Sequence, residues 1–514
     1  MAYIATICAA LWLSSPSAAQ ITLGFRPQPQ EALPATGYPS CDALIAAGLV
    51  NRVFFPPDIE YNSSITSYWS GTVQQLHPWC IVKPENTEEV SKALSALVKT
   101  SPAGNWDIAV RAGGHSHFPS NNVAQGVTID LSRMNSTVYN NHSGTAAVQP
   151  GARWGSVYKE IEKYGLSVTG GREGNVGVGG LTLGGGASFH TGTHGFACDG
   201  VRNYEVVLAD GAIVNANADE NPDLFKALKG GSNNFGIVTR FDMQTFPAAR
   251  GGLWGGLLFL GYEHKQVVME QFVRLVDTNH EHPEDTEVVT FVYSGEGPTM
   301  IAISAVNTAG VANSTSFAPL TGLPAILDDR GRKTYGTLIT DYATAGGKRN
   351  VWFSLCFHND IDMMIKMSDL FDELLLELQA LIPSPDLGLS SISQPLPKHF
   401  AGKGNSNNVL GLDTSLTHNS IIWLGQVQTR TGEQEALAHA KLAAMTAKLE
   451  AYAETSGKAT PWRYLNYVNP AQDPIKTYGE DNVRFLKEAA TKYDPTGVFQ
   501  TRVPGGFKIS KVAL

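Results

Sequence analysis

Between positions 169 and 186 the chain reads TGGREGNVGVGGLTLGGG, with nine glycines in eighteen residues. Glycine adds no side chain to a core and loses more conformational freedom on folding than any other residue. A segment this rich in it is there to let main chain come close to something, not to pack. A flexible linker is the alternative, but linkers are polar, and Val176, Val178 and Leu183 interrupt these glycines. The common phosphate loops do not account for the run. Thr182 stands where GxGxxG needs its third glycine, and Gly347-Lys348 and Gly457-Lys458 lack the Ser or Thr that completes a Walker loop. Neither HExxH nor GxSxG occurs.

The glycine run sits among short alternating elements. Val90, Leu94 and Leu97 recur at helical spacing and predict a helix over 84–100. Strands are expected at 106–112, 127–131 and 145–149, and a helix at 154–164. From about residue 248 the texture changes to a strand at 251–262 and two longer helices. The first, 361–382, carries Met364, Ile365, Leu370, Leu374 and Leu378 on or near one face. The second, 432–454, carries Ala438, Leu442, Met445, Leu449 and Tyr452. A turn is expected at 456–460, and there is no internal repeat.

Composition narrows the function classes. The net charge of −9, with no basic block, argues against nucleic acid as a partner. Residues 3–13 form an apolar run followed by SPSAAQ, which resembles a signal peptide cleaved near Ala19. The run is too short to span a bilayer, so a secreted, soluble protein away from the membrane is expected. Cys8 falls in this leader, leaving Cys41, Cys80, Cys198 and Cys356. Four cysteines allow three full pairings, and their spacing does not choose among them. Without a CxxC pair, no metal site is expected. Asn62, Asn135, Asn141 and Asn313 each open an N-x-S/T sequon, which suits a glycoprotein.

A second motif lies upstream of the glycine run. RAGGHSH at 111–117 follows a predicted strand directly, so backbone N–H groups at its end can approach an anion closely. In order, the chain then shows VQPGARWGSVYKEI, VGVGGLTLGGG, VVLADG and ALKGGSNNFGIVT, and near its C-terminus YLNYV, YGEDN and KYDPTGVFQ. This succession resembles the FAD-binding domain of the vanillyl-alcohol-oxidase type, and more narrowly the berberine-bridge-enzyme-like family of FAD-linked oxidoreductases. The ending RVPGGFK resembles its fungal secreted branch. The match covers about 60–250 and 460–510; the region between is only loosely matched.

The resemblance implies an α+β fold: a two-part FAD-binding domain at 20–250 and 457–514, with an inserted substrate domain at 251–456 of antiparallel sheet backed by helices. It implies FAD bonded covalently through His115. Arg111, Gly113, Gly114 and Ser116 would line the pyrophosphate, a simple turn role being the alternative for Ser116 and His117. Val176 would stand as an oxygen-permissive gatekeeper within a cofactor cradle of Gly177, Gly179, Gly180, Gly184, Gly185, Gly236 and Ile237. Many relatives add a second bond from a cysteine, but Glu173 occupies that position here, so the attachment is expected to be single. That departure argues against an extended sugar and for small natural-product chemistry. The resemblance implies a catalytic set of Tyr464, Asn466 and Tyr467, with one of the two tyrosines as the base; Arg463 and Lys476 are local cations, and Asp413 is a weaker candidate for the base. If this segment is a strand, Tyr464 and Asn466 share one face and Tyr467 takes the other. We expect Cys41–Cys80 to bridge, with Cys198 and Cys356 free and buried. The implied reaction is oxidation of a small molecule, with molecular oxygen reduced to hydrogen peroxide by a monomeric enzyme. The rivals are a flavin dehydrogenase, an oxidative cyclase, a carbohydrate oxidase and a non-catalytic flavin-binding protein.

Overall fold

The computed structural model describes residues 35–99, 104–295, 297–404 and 407–513. The expected leader lies outside them. Three sheets organise the unit Gly37–Leu514.

The first sheet has the order Val53–Phe54, Cys80–Val82, Gly126–Asp130, Asp107–Arg111. Its last three strands run parallel, and its first pair antiparallel. Helix Thr87–Lys99 buries Val90, Ala93, Leu94 and Leu97, with Glu88 and Glu89 in its first turn and Lys99 in its last, as the helix dipole favours. A disulfide joins Cys41 to Cys80 with a Cα separation of 6.2 Å, and Cys198 and Cys356 are buried free thiols.

The second sheet is antiparallel: Thr137–Asn140, Thr145–Val148, Ile237–Pro247, Val201–Val207, Ile213–Asn217, with Leu166–Val168 on the end of Ile237–Pro247. Helix Trp154–Ile161 turns the Trp154 ring under the start of the glycine run. A Cβ on Gly170 would lie 2.0 Å from that ring, so the main chain can cross it only as glycine.

The third sheet has nine antiparallel strands. Its path is Ala325–Asp328, Leu253–Gly261, Met300–Asn307, Asp285–Tyr293, Gly388–Leu396, Ser420–Thr429, Arg349–His358 and Ala459–Thr460. Helices Lys265–Thr278, Ile361–Gln379 and Gly432–Thr455 cover one face, where Met364 and Leu442 of the helices share a core with Phe291 and Trp423 of the sheet. Thr431 and Gln434 form a capping box that starts the longest helix. This is the α+β architecture expected, with one shift. Strand Ala459–Thr460 pairs with Arg349–His358, so the sheet runs past the boundary anticipated at 456, into residues read as a turn.

Beyond Thr460 the chain returns to the first two sheets. The amide of Ile108 donates to the Arg502 carbonyl (2.7 Å), and Arg502 Nε donates to the Trp106 carbonyl (2.9 Å). Asn233 and Asn234 donate from their side chains to the carbonyls of Gly505 and Phe507.

Candidate active site

A cavity of about 320 Å³ lies where these parts meet. The loop 112–118, the glycine run, residues 232–238, the turn 464–467 and the C-terminal tail all line it. Of the residues singled out in the sequence, Gly113, Gly114, His115, Ser116, Val176, Gly177, Gly179, Gly180, Gly236, Ile237, Tyr464, Asn466 and Tyr467 reach its wall.

Main chain makes much of that wall. A Cβ on Gly113 would sit 2.4 Å from the Gly177 Cα, so the two loops touch only because both residues are glycine. Gly114 has φ +70°, a left-handed conformation that other residues adopt at a cost. Val178–Leu183 forms a short helix after Gly177. Gly180 has open space beside its Cα, so a side chain there would enter unoccupied volume.

His115 stacks on Trp69, with ring centroids 4.8 Å apart and planes at 15°. Burial, helped by the charge of Arg153, pushes its imidazole down to about 4, so the ring is neutral at ordinary pH. Its Nε2 is buried without a hydrogen-bond partner and lies 3.7 Å from Glu173 Oε2. Glu173 Oε2 accepts from the amides of Asn175 (2.8 Å) and Val176 (2.7 Å), and Oε1 from that of Thr344 (3.0 Å). Burial raises the Glu173 carboxyl above its usual range, and those amides oppose the rise.

Three expected cradle residues lie elsewhere. Strand alternation turns Val110 and Ala112 toward the cavity and Arg111 away from it. Arg111 is buried beneath, over the Tyr68 ring, bonded to the Ser64 carbonyl and Ser67 Oγ and 3.5 Å from Asp130. It braces the loop and does not line the wall. Gly184 and Gly185 also stay outside the lining. A Cβ on Gly184 would lie 2.2 Å from Asn466 Oδ1, so this glycine admits the C-terminal turn.

That turn corrects a second expectation. Residues 464–467 are not a strand: the Tyr467 amide donates to the Tyr464 carbonyl (3.0 Å), which brings both tyrosines to the cavity. Their rings meet edge to face at 4.7 Å. The Tyr464 oxygen accepts from the Ala187 amide (2.7 Å) and Asn466 Nδ2 (3.0 Å), yet burial still drives its phenol well above the usual range. Asn466 also donates to the Leu181 carbonyl, clamping the turn to the short helix. Tyr467 accepts from Arg172 Nη2 (2.9 Å) and donates to Gln394 Oε1 (3.3 Å), which Arg172 also contacts.

The cation beside the tyrosines is therefore Arg172. Arg463 pairs with Glu450, and the side chain of Lys476 is exposed. Asp413 lies beside Asp199 and Asn408 in a separate small pocket, away from the cavity. Arg172, Gln394 and Trp352 escaped the sequence reading. The one available signal was an arginine inside an otherwise glycine-dominated run. Trp352 stacks on His117 (4.5 Å, 17°) and meets the Tyr467 ring edge at 6.1 Å.

Comparison with known proteins places this fold among FAD-binding proteins. A model of the FAD binding domain matches residues 78–217. The FAD-dependent monooxygenase drtC of Aspergillus calidoustus is 34 % identical over 479 residues, spanning 92 % of this chain and 91 % of that one. Among solved structures, the glucooligosaccharide oxidase of Acremonium strictum aligns with a TM-score of 0.73 at 21 % identity, covering 92 % of this chain and 99 % of its own. Berberine bridge enzyme from Eschscholzia californica aligns at 0.68 and 19 %, over 91 % and 99 %. The chain belongs to the family of FAD-dependent oxidoreductases that includes the monooxygenase drtC, and it shares its fold with berberine bridge enzyme and the glucooligosaccharide oxidase.

Proposed function

We propose that the protein is an oxidase of a small, natural-product-like substrate, carrying FAD bonded singly to His115, with Tyr467 as the base. The residues present fit the cofactor. The glycine wall has room for a closely approaching group, and His115 stands on the cavity wall beside it. In the glucooligosaccharide oxidase of Acremonium strictum the flavin is a 6-S-cysteinyl, 8α-N1-histidyl FAD. Here Glu173 stands at the cysteine position, and a carboxylate forms no thioether. Bound there, FAD would supply a hydride acceptor and a two-electron route to dioxygen, with hydrogen peroxide as the product.

The observation that carries the assignment of the base is the contact of Arg172 with the Tyr467 oxygen on the cavity wall. The guanidinium faces the oxygen that, as phenolate, takes the proton from the substrate, and in the neutral phenol the hydroxyl hydrogen is donated to Gln394 Oε1. Tyr464 serves differently: its oxygen already accepts two donors and fixes the turn. Trp352 and His117 add flat, stacked surface, which suits an unsaturated ring.

We also propose export and glycosylation, since all four sequon asparagines are exposed. Among the described residues no helix is long and apolar enough to cross a membrane. The test is a panel of alcohols, sugars and polyketide-like compounds, assayed for hydrogen peroxide under labelled dioxygen. One peroxide per substrate oxidised, with no label in the product, supports the oxidase. The name of the relative drtC motivates a second reading, monooxygenation, in which label enters the product. Flavin reduction that only an artificial acceptor reverses would establish a dehydrogenase.

A further inference from the structure

Three features converge on Glu173. Among the described residues it is the one acid lining the cavity. Its carboxylate is held at both oxygens by the main-chain amides of Asn175, Val176 and Thr344. And it faces, at 3.7 Å, just beyond hydrogen-bond length, a buried imidazole nitrogen for which the protein supplies no other partner. Trp69 fixes the plane of that imidazole, so the direction of its two nitrogens is set. A buried ring nitrogen left without a partner is costly. A carboxylate beside a histidine ordinarily decides which nitrogen carries the proton.

We propose that Glu173 is the positioning residue for cofactor attachment at His115. It holds the imidazole proton on Nε2, leaves the Nδ1 lone pair free to form the bond, and takes up the Nε2 proton as the bond forms. This rests on the covalent reading above and adds the group that makes it possible. The reaction balances. One imidazole N–H and one C–H of the 8α-methyl are replaced by a C–N bond. Two protons and two electrons leave, and dioxygen, the acceptor of the proposed turnover, takes both as hydrogen peroxide. The proton from nitrogen passes through Glu173. The position that in relatives supplies a second covalent link here serves the first one.

The experiment uses full-length chain produced under riboflavin limitation, mixed with FAD in air. Attachment is followed as flavin that stays with acid-precipitated protein, and total binding as flavin recovered after proteolysis. Wild type is expected to convert all bound flavin to the attached form. Glu173→Gln is expected to bind FAD but attach it at least tenfold more slowly, and Glu173→Asp to fall between. Attachment by Glu173→Gln at the wild-type rate overturns the proposal. If Glu173→Gln binds no flavin, the pH profile of wild-type attachment decides. A rate that rises as the carboxyl ionises supports the role of Glu173, and a flat rate from pH 4 to pH 8 removes it. Wild type that releases all its flavin on precipitation defeats the covalent reading itself, an outcome distinct from the others.

Discussion

The wall that carries His115 is largely main chain, whereas the wall that carries Tyr467 is made of side chains drawn from distant parts of the sequence. Gly113 and Gly177 touch through their backbones, and no other residue fits either place without a shift. Across the cavity, Arg172 reaches Tyr467 across 295 residues of chain and Gln394 across 222. The first wall has one chemical solution, so it suits a fixed cofactor. The second is a set of hydrogen bonds whose members can be exchanged one at a time, so it suits adjustment to a substrate.

If this division holds, substitutions on the two walls fail in different ways. The largest effect is expected from Tyr467→Phe, which keeps the ring but removes the oxygen that meets Arg172. Flavin reduction should slow by about 10²–10⁴ while flavin content stays at the wild-type level. Anaerobic stopped-flow bleaching measures the first and absorbance of the purified protein the second. Loss of flavin from this variant would erase the distinction between the walls. Tyr464→Phe should act instead by loosening the turn that Ala187 and Asn466 hold.

Replacing Cys41 and Cys80 together by alanine tests the support beneath the main-chain wall. Their bridge closes a loop with a sequence separation of 39, worth about 3–4 kcal/mol in the chain-entropy model. Denaturant unfolding should show that loss, with the chemistry of the folded fraction unchanged. Gly113→Ala should cost about 1–3 kcal/mol, because its Cβ meets main chain that cannot rotate away. It should lower flavin content more than the rate per bound flavin, the reverse of Tyr467→Phe.

The smallest effect concerns His117, which joins the walls: it sits in the His115 loop but stacks on Trp352. Burial pushes its imidazole down to about 3 from 6.5. The unfolded chain therefore takes up a proton below about pH 6.5 that the native protein refuses until about pH 3. Its contribution to stability is complete above pH 6.5 and is lost as the pH falls through that window. In His117→Phe the slope of stability against pH should flatten by roughly 1 kcal/mol per pH unit, read from denaturation midpoints at pH 4 to 7. The comparison between the two proteins cancels Glu287. Its carboxyl, pushed up to about 8 by burial, works in the opposite sense.

How much was readable beforehand follows the same division. Glycines 113, 177, 179 and 180 were legible because close approach leaves a mark in composition, and His115 because it stands in a fixed local setting. Arg111 was misplaced for want of strand phase: its neighbours Val110 and Ala112 face the cavity, and alternation turns it away. The tyrosines were found but their faces were wrongly divided, because a turn and a short strand look alike over four residues. Gln394 and Trp352 have no local signature at all, and Arg172 has only its place inside the glycine run. Their roles exist only once the third sheet has been folded against the glycine run.

The order in which the chain is made gives the C-terminal tail a further meaning. Arg502 completes the edge of the strand that presents His115, and it bonds to Trp106, 396 residues earlier. Gly506 and Phe507 then close the cavity beside it. Contacts this remote form late in folding. A growing chain can assemble the glycine wall long before it owns the residues that finish the pocket. A chain that stops short of Phe507 lacks part of the lining and is expected to hold flavin less tightly.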